Sequence, residues 1–413
     1  MDVELRPIGP DEVETFARVN NAAFGCAPSQ EQVDRQRPEL AELERTLAAF
    51  AGGQMVATAA AHSMELTLPG ARAVPMAGVT WVGVQPVHRR QGLLRAMMRH
   101  QLDDVHERGE PLAGLAASEG GIYGRFGYGP ATWGVAWELN RSRARLAAGP
   151  PPGGHLDLVD AGTAREALPP VHEAIRTRRT GDVPRMAFQW DDLVQADPGS
   201  VGRHGDGAKL FVVHRGPGGD ADGYAVYRMP RDEMWSSRHT VRVDHMEAAT
   251  REAYVSLWAY LCDLDLSELV VAGDRPAAEP LRHLLDDARQ LRVTASYDHL
   301  WVRLVDLPAA LAARAYAAPG ALVVEVADPF CPWNEGRWRL EAGAEGADCR
   351  RARPGEAAEL ALDVATLAGA YMGGASLATL AWAGRVEELV PGALARAGAM
   401  LAVDPPPFCS SWF

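Results

Sequence analysis

The sequence predicts an α/β (mixed α+β) fold in three parts. Helix-period and strand-period runs alternate from end to end, and breaks rich in proline and glycine divide them. Composition agrees: with 47% hydrophobic and 23% charged residues, the chain is too apolar to be disordered or collagen-like. At roughly 100–200 residues per domain, its 413 residues suffice for two to four domains. It has no run of about 18 apolar residues that could span a bilayer. The opening Met1-Asp2-Val3-Glu4-Leu5-Arg6 lacks the apolar centre of a signal peptide, so a cytoplasmic location is expected.

Taken in order, Pro10 followed by Asp11, Glu12 and Glu14 has the proline and acidic first turn of a helix start, with the helix expected to reach about Ala23. A second helix is expected near 39–47, strands at 55–62 and 63–68, and a strand through Gly78-Val79-Thr80-Trp81-Val82-Gly83-Val84. Leu94, Met98, Leu102 and Val105 share one helical face, and Gly109 and Pro111 end that helix. A short strand and a Gly/Tyr-rich turn follow. Gly149-Pro150-Pro151-Pro152-Gly153-Gly154 can continue neither helix nor sheet and reads as a linker. Beyond it, helices are expected near 164–178 and 249–261 and strands near 210–214, 223–228 and 269–271, separated by turn clusters at 197–207 and 216–223. A softer boundary at Asp306-Leu307-Pro308 follows the strand-like 300–305. The last part holds strands at 322–326, 336–340 and 359–362, helices at 364–372 and 376–383, and a tail from Pro405 to Phe413.

The formal charge of −13 disfavours nucleic acid and anionic membrane as partners, while leaving room for a local basic pocket. Cys26, Cys262, Cys331, Cys349 and Cys409 are odd in number and scattered, which suits reduced thiols rather than a disulfide framework. The 12 histidines show no paired ligand spacing, so no metal is expected.

The chemically informative stretch is Val82-Gly83-Val84-Gln85-Pro86-Val87-His88-Arg89-Arg90-Gln91-Gly92-Leu93-Leu94, where a strand turns into a helix whose start carries two arginines and a glycine. Unpaired N–H groups and the positive dipole end attract phosphate there, and Gly92 lets a pyrophosphate approach the backbone. Arginine opposes the dipole at that end, at about 0.3–1 kcal/mol each. A solvated basic turn and an anion site are the two readings, with no ligand named.

The run Arg89-Arg90-Gln91-Gly92-Leu93-Leu94 resembles the pyrophosphate loop of the GNAT acetyltransferases, except that Leu94 stands where glycine or alanine is usual. Downstream, Ala117-Ser118-Glu119-Gly120-Gly121-Ile122-Tyr123-Gly124-Arg125-Phe126-Gly127-Tyr128-Gly129-Pro130 resembles the signature of the Eis (enhanced intracellular survival) acetyltransferases. Late segments, Trp333-Asn334-Glu335-Gly336-Arg337-Trp338 and Leu367-Ala368-Gly369-Ala370-Tyr371-Met372, are similar to sterol carrier proteins.

The resemblance implies tandem GNAT-like domains followed by a sterol-carrier-protein-like α+β domain. Residues 1–148 would form the acetyl-CoA-binding GNAT domain, 155–306 a cofactor-free GNAT-like domain, and 307–413 the last domain with a catalytic tail. The activity implied is acetyl transfer from acetyl-CoA, as co-substrate, to a small-molecule primary amine of aminoglycoside or polyamine type. Val82, Gly83, Val84, Arg89, Arg90, Gln91, Gly92, Leu93, Leu94, Ser118 and Glu119 would hold acetyl-CoA. Tyr123 would be the acid toward the departing thiolate, and the carboxylate of Phe413 the base toward the amine. Phe24, Cys26, Asp34 and Trp412 would contact the acceptor, in a pocket whose polar segment also carries Arg35, Glu39 and Glu42, with carboxylates that suit a polycationic amine. Trp412 and Cys26 depart from the acidic side chains of aminoglycoside-modifying members, which suits a less charged amine, such as a biosynthetic intermediate or a lysine side chain. A hexamer is also implied. The rival reading is a lipid-binding or assembly protein with a decayed acetyltransferase domain. In the second block, Val241-Arg242-Val243-Asp244-His245-Met246-Glu247 offers carboxylates where a phosphate would sit, with Asp244 and Glu247 read as helix-start acids.

Overall fold

A computed structural model describes residues 3–147, 149, 153–195, 207–230, 239–343 and 346–413. Residues 150–152 of the expected linker at 149–154 and nearly all of the turn cluster at 197–207 lie outside them. The chain divides into two units, one of residues 1–132, 299–404 and 412–413, the other of residues 133–298 and 405–411.

In the first unit, strands β1 (Val3–Arg6), β2 (Thr46–Ala51), β3 (Gln54–Leu68), β4 (Arg72–Val84), β5 (Leu112–Ala116) and β6 (Gly129–Pro130) build one sheet. Helices α1 (Val13–Ala23), α2 (Gln30–Gln36), α3 (Leu93–Glu107) and α4 (Gly120–Tyr123) intervene. Val13, Phe16, Ala17 and Asn20 turn one face of α1 inward, and Met98, Leu102 and Val105 do the same for α3. The helix expected at 39–47 is a correction. The helix is instead α2, whose Ser29 hydroxyl accepts from the Gln32 N–H at 3.3 Å, and Thr46 already begins β2. Leu47, Ala48 and Ala49 are buried, so β2 shows no alternation, and its alanines mimic a helix. The two strands expected at 55–68 are one, β3.

In the second unit, β7 (Trp133–Asn140), β8 (His155–Val159), β9 (Leu210–Arg215), β10 (Ala221–Arg228), β11 (His239–Ala248), β12 (Ser267–Pro276) and β13 (Leu291–Asp298) build the other large sheet. Its helices are α5 (Ala161–Arg176), α6 (Ala187–Val194) and α7 (Arg251–Asp263). Asp244 and Glu247 need a second correction: they lie within β11, and the helix start belongs to Thr250, whose hydroxyl accepts from the Ala253 N–H at 3.1 Å. Glu247 is buried against Arg179, at 2.8 and 3.1 Å, which holds its carboxyl well below the usual range.

The two sheets share one plan. The first runs β1-β2-β3-β4-β5-β14-β6 and the second β8-β9-β10-β11-β12-β7-β13, where β14 is Leu300–Leu304. The sixth place of each is therefore filled by a strand from the other half of the chain.

The last part of the first unit forms a five-stranded sheet from β15 (Gly320–Ala327), β16 (Gly336–Gly343), β17 (Gly346–Arg351), β18 (Leu360–Asp363) and β19 (Val386–Glu388). Helices α8 (Leu307–Ala313), α9 (Val364–Tyr371), α10 (Leu377–Trp382) and α11 (Ala393–Leu401) accompany it. Arg303 of β14 pairs with Asp328 at 2.6 Å, both fully buried, tying the first sheet to this part. Among the described residues, no helix is long and apolar enough to cross a membrane.

Candidate active site

Strands β4 and β5 pair in parallel only from Met76–Gly78 against Leu112–Gly114, and beyond that they part. The parting has a local cause in β4. Its pairing with β3 slips between Thr58 and Ala60, and Trp81 takes a φ of 55°, a strained value for a bulky side chain. The Trp81 carbonyl is taken by the Asn20 amide at 2.8 Å and the Thr58 hydroxyl at 2.9 Å. The end of β4 is thus held by α1 and β3, and an open cleft remains on its other side. Sequence reasoning missed Asn20 and Thr58, because no local pattern announces side chains that hold a bulge from afar.

At the mouth of this cleft, α3 begins without a side-chain cap. Gly92 sits at its N-cap with φ 84°, Arg90 is also left-handed at 62°, and a Cβ on Gly92 would meet nothing within 4 Å. Bare N–H groups at a helix start, in open space, fit the pyrophosphate of a nucleotide co-substrate. A cavity of ≈590 Å³ opens there, lined by Val82, Gly83, Val84, Arg89, Arg90, Gly92, Leu93, Leu94, Ser118 and Glu119 of the expected set. Gln91 is the exception: its side chain folds back on the Val87 carbonyl at 3.4 Å. Arg89 lines the cavity but is also committed, donating to the Ala23 carbonyl at 2.6 Å. Arg95 and Arg125 line it too and were not anticipated. Arg95 could have been found as an arginine in the first turn of α3 itself, against the dipole, since Arg89 and Arg90 lie in the turn before the helix.

A second cavity, of ≈290 Å³, is lined by Asn20, Gln36, Glu39, Trp81, Leu115 and Phe413, among others. Phe24, Val82, Ser118 and Tyr123 line both cavities. Tyr123 ends α4, is 6% exposed, and burial pushes its phenol up to about 12. Tyr128 is fully buried and lines neither cavity. Of the expected acceptor contacts, Phe24 is in place. Cys26 and Asp34 are exposed outside both cavities, Asp34 accepting from Gln30 at 3.1 Å in a helical i,i+4 pair. Trp412 also lines neither, because its ring packs on His299 at 3.9 Å between centroids.

The split parallel pair, the uncapped helix and the shared tyrosine define an acetyltransferase of the GNAT class. Residues 4–131 and 181–304 each match the acetyltransferase (GNAT) domain family, and residues 307–410 match the sterol carrier protein domain. An uncharacterized N-acetyltransferase of Streptomyces avermitilis is 41% identical over 96% of both chains. The N-acetyltransferase Eis of Mycobacterium tuberculosis is 36% identical over 86% of this chain and 85% of its own. The crystal structure of Eis1 from Mycobacterium abscessus superposes with a TM-score of 0.86 at 34% identity, covering 99% of this chain and 100% of that one. The chain belongs to the Eis family of GNAT N-acetyltransferases. That fold implies acetyl-CoA as co-substrate and a small-molecule acceptor.

Proposed function

We propose that the protein transfers the acetyl group of acetyl-CoA directly to a primary amine, with Tyr123 as acid and the Phe413 carboxylate as base. The observation that carries this reading is the pair of cavities with Tyr123 in the wall of each and Phe413 in the second. The larger suits the co-substrate, whose pyrophosphate would lie on the N–H groups of Arg90 to Leu93 with Arg95 and Arg125 beside it. The backbone of Val82 and Val84 is suited to donate to the thioester oxygen.

An amine is a nucleophile only when uncharged, so the incoming ammonium gives a proton to the Phe413 carboxylate before attack. As the carbon–sulfur bond breaks, Tyr123 donates to sulfur, and the second proton that the nitrogen sheds on becoming an amide passes back to the Tyr123 oxygen, while the first leaves the carboxylate for solvent. With its phenol near 12 and a free thiol near about 8.5, full transfer is uphill by about 5 kcal/mol unless the same dry walls raise the thiol as well. Tyr123 therefore acts chiefly as a hydrogen-bond donor to the forming thiolate, completing the transfer as the thiol leaves.

Glu39 and the Phe413 carboxylate favour a cationic acceptor, and Phe24 and Trp81 give it aromatic walls. Aminoglycoside-type amines and other polyamines fit this lining, with a biosynthetic amine or a protein lysine as the second choice. The reading further includes the three sequence blocks at 1–148, 155–306 and 307–413, with β7 and β14 exchanged between the sheets of the first two, a cytoplasmic location and a hexameric assembly, the last checked by analytical ultracentrifugation. Thiol release from acetyl-CoA across a panel of amines tests the activity. Adding three residues after Phe413 should abolish turnover while calorimetry still records acetyl-CoA binding; normal turnover in that variant would overturn the assignment of the base. Failure to bind acetyl-CoA at all would instead favour the non-enzymatic lipid-binding or assembly protein.

A further inference from the structure

The second unit repeats the architecture of the first up to the point where a ligand would enter. Strands β11 and β12 pair in parallel from His239–Val243 against Ser267–Ala272, as β4 and β5 do. Past that pairing, where the first unit opens its cleft, the described residues of the second leave a space of ≈10 Å³, walled by Asp244, His245, Glu247, Gly273, Arg275 and one residue from far along the chain, Ser410. Among the described residues, the position is filled by protein.

What fills it is the segment before the end of the chain. Phe408, Cys409, Ser410 and Ser411 are all buried in this unit. The Phe408 N–H donates to the Thr180 carbonyl at 2.9 Å. Asp182, itself fully buried, accepts from the Ser410 N–H at 3.0 Å and from its hydroxyl at 3.1 Å. Arg185 donates to the Ser410 carbonyl at 2.7 Å and to the Ser411 hydroxyl at 2.9 Å. Thr180, Asp182 and Arg185 all come from the loop between α5 and α6, which corresponds to the loop after α1 that carries Phe24 in the first unit.

His172, Asp182 and Glu247 lie close enough together to suggest a metal site. Their carboxylates are already engaged: Arg179 bridges Asp182 at 3.0 Å and Glu247 at 2.8 Å, and Ser410 takes the rest of Asp182. Burial, with Arg185 adding to it, keeps His245 neutral, so its Nδ1 accepts from Arg185 at 3.2 Å. The cluster is a closed ionic knot built around a peptide.

We infer that the cleft of the second GNAT-like domain is a socket for residues 408–411, and that Asp182 and Arg185 are positioning residues for the Phe413 carboxylate. Phe413 lies two positions beyond Ser411, a leash of about 7 Å at full extension. Fixing Ser411 therefore limits where that carboxylate can be, which is what a base acting at hydrogen-bond range requires. The inference rests on the proposal that Phe413 is the base.

Cys409 supplies the test. It is fully buried within the socket, and burial pushes its thiol up, so it should resist alkylation, whereas Cys26 is exposed and serves as an internal control. The variants R185M and R185K, and a double variant with Ser410→Ala and Ser411→Ala that deletes the same bonds from the tail, are treated with iodoacetamide and mapped by mass spectrometry. Their kcat and acetyl-CoA Kd are measured alongside. Alkylation of Cys409 at least about tenfold faster in R185M, a kcat lower by roughly 10²-fold and a Kd within about twofold of the parent are expected, with R185K in between. Should R185M not fold, the double variant carries the same expectation. If Cys409 stays as protected in the variants as in the parent, the socket is overturned. If Cys409 becomes reactive while kcat is unchanged, the positioning role is overturned. Normal turnover in the chain extended beyond Phe413 removes the base assignment alone, leaving the Cys409 protection result intact.

Discussion

Two tyrosines five residues apart, Tyr123 and Tyr128, meet edge to face with ring centroids 6.0 Å apart. Only Tyr123 reaches the cavities, so Tyr123→Phe should lower kcat by about 10²–10⁴-fold with little change in acetyl-CoA Kd. Tyr128→Phe should leave kcat nearly unaltered. An acid works only while protonated, and with its phenol near 12, Tyr123 stays protonated through pH 10. The alkaline limb of kcat should therefore be the same in the parent and in Tyr123→Phe below about pH 11; a limb near pH 10 that vanishes in the variant would contradict this. The same shift bears on stability. A phenol raised above its unfolded value of about 10 stabilises the fold fully below that pH, and the contribution is lost as pH rises toward 12. Elsewhere, Asp328→Asn leaves the Arg303 guanidinium buried without its counter-charge and should cost about 3–5 kcal/mol in denaturant unfolding.

Helix α3 and the glycines near the site act as elements. Gly92→Val forces a β-branched residue into a left-handed position at the uncapped start of α3, so acetyl-CoA Kd should rise by roughly tenfold or more with kcat at saturation less affected. Gly129 of β6 lies against α9, and a Cβ there would come within 2.0 Å of the Ala365 carbonyl, so Gly129→Ala should destabilise by about 1–3 kcal/mol. Helix α3 was legible from Leu94, Met98, Leu102 and Val105 because one of its faces meets solvent and the other the core. Strand β2 was not, since it is buried throughout, and Glu247 was misplaced because an ion pair to Arg179 hides a carboxylate inside a strand. The pyrophosphate turn and Tyr123 could be read from a contiguous motif. On the acceptor side Phe24, Glu39 and Phe413 followed from the family resemblance, whereas Asn20 and Trp81 did not, because they converge on the cavity from a helix and a strand bulge far apart in sequence.

On the scale of the whole molecule, the exchanged strands decide what can be separated. A fragment of residues 1–148 keeps β7, which has no partner in the first sheet, and lacks β14, which lies between β5 and β6. That leaves β5 as a bare edge, and the fragment should aggregate or stay unfolded by circular dichroism and size-exclusion chromatography, whereas the full chain is folded. Nothing in the sequence of Leu300–Leu304 tells which sheet it joins, because four apolar residues around one arginine fit either.

The exchange also sets a timetable on the ribosome. The first sheet has its first six strands once Pro130 has emerged, but its remaining place stays empty until Leu304 is made, roughly 170 residues later. At about 5–20 residues per second, that is an interval of roughly 10–30 s during which a half-built sheet is exposed. The nascent chain should therefore depend on holding chaperones during synthesis more than its modest domain sizes suggest, and the two GNAT halves should gain their native structure together and late.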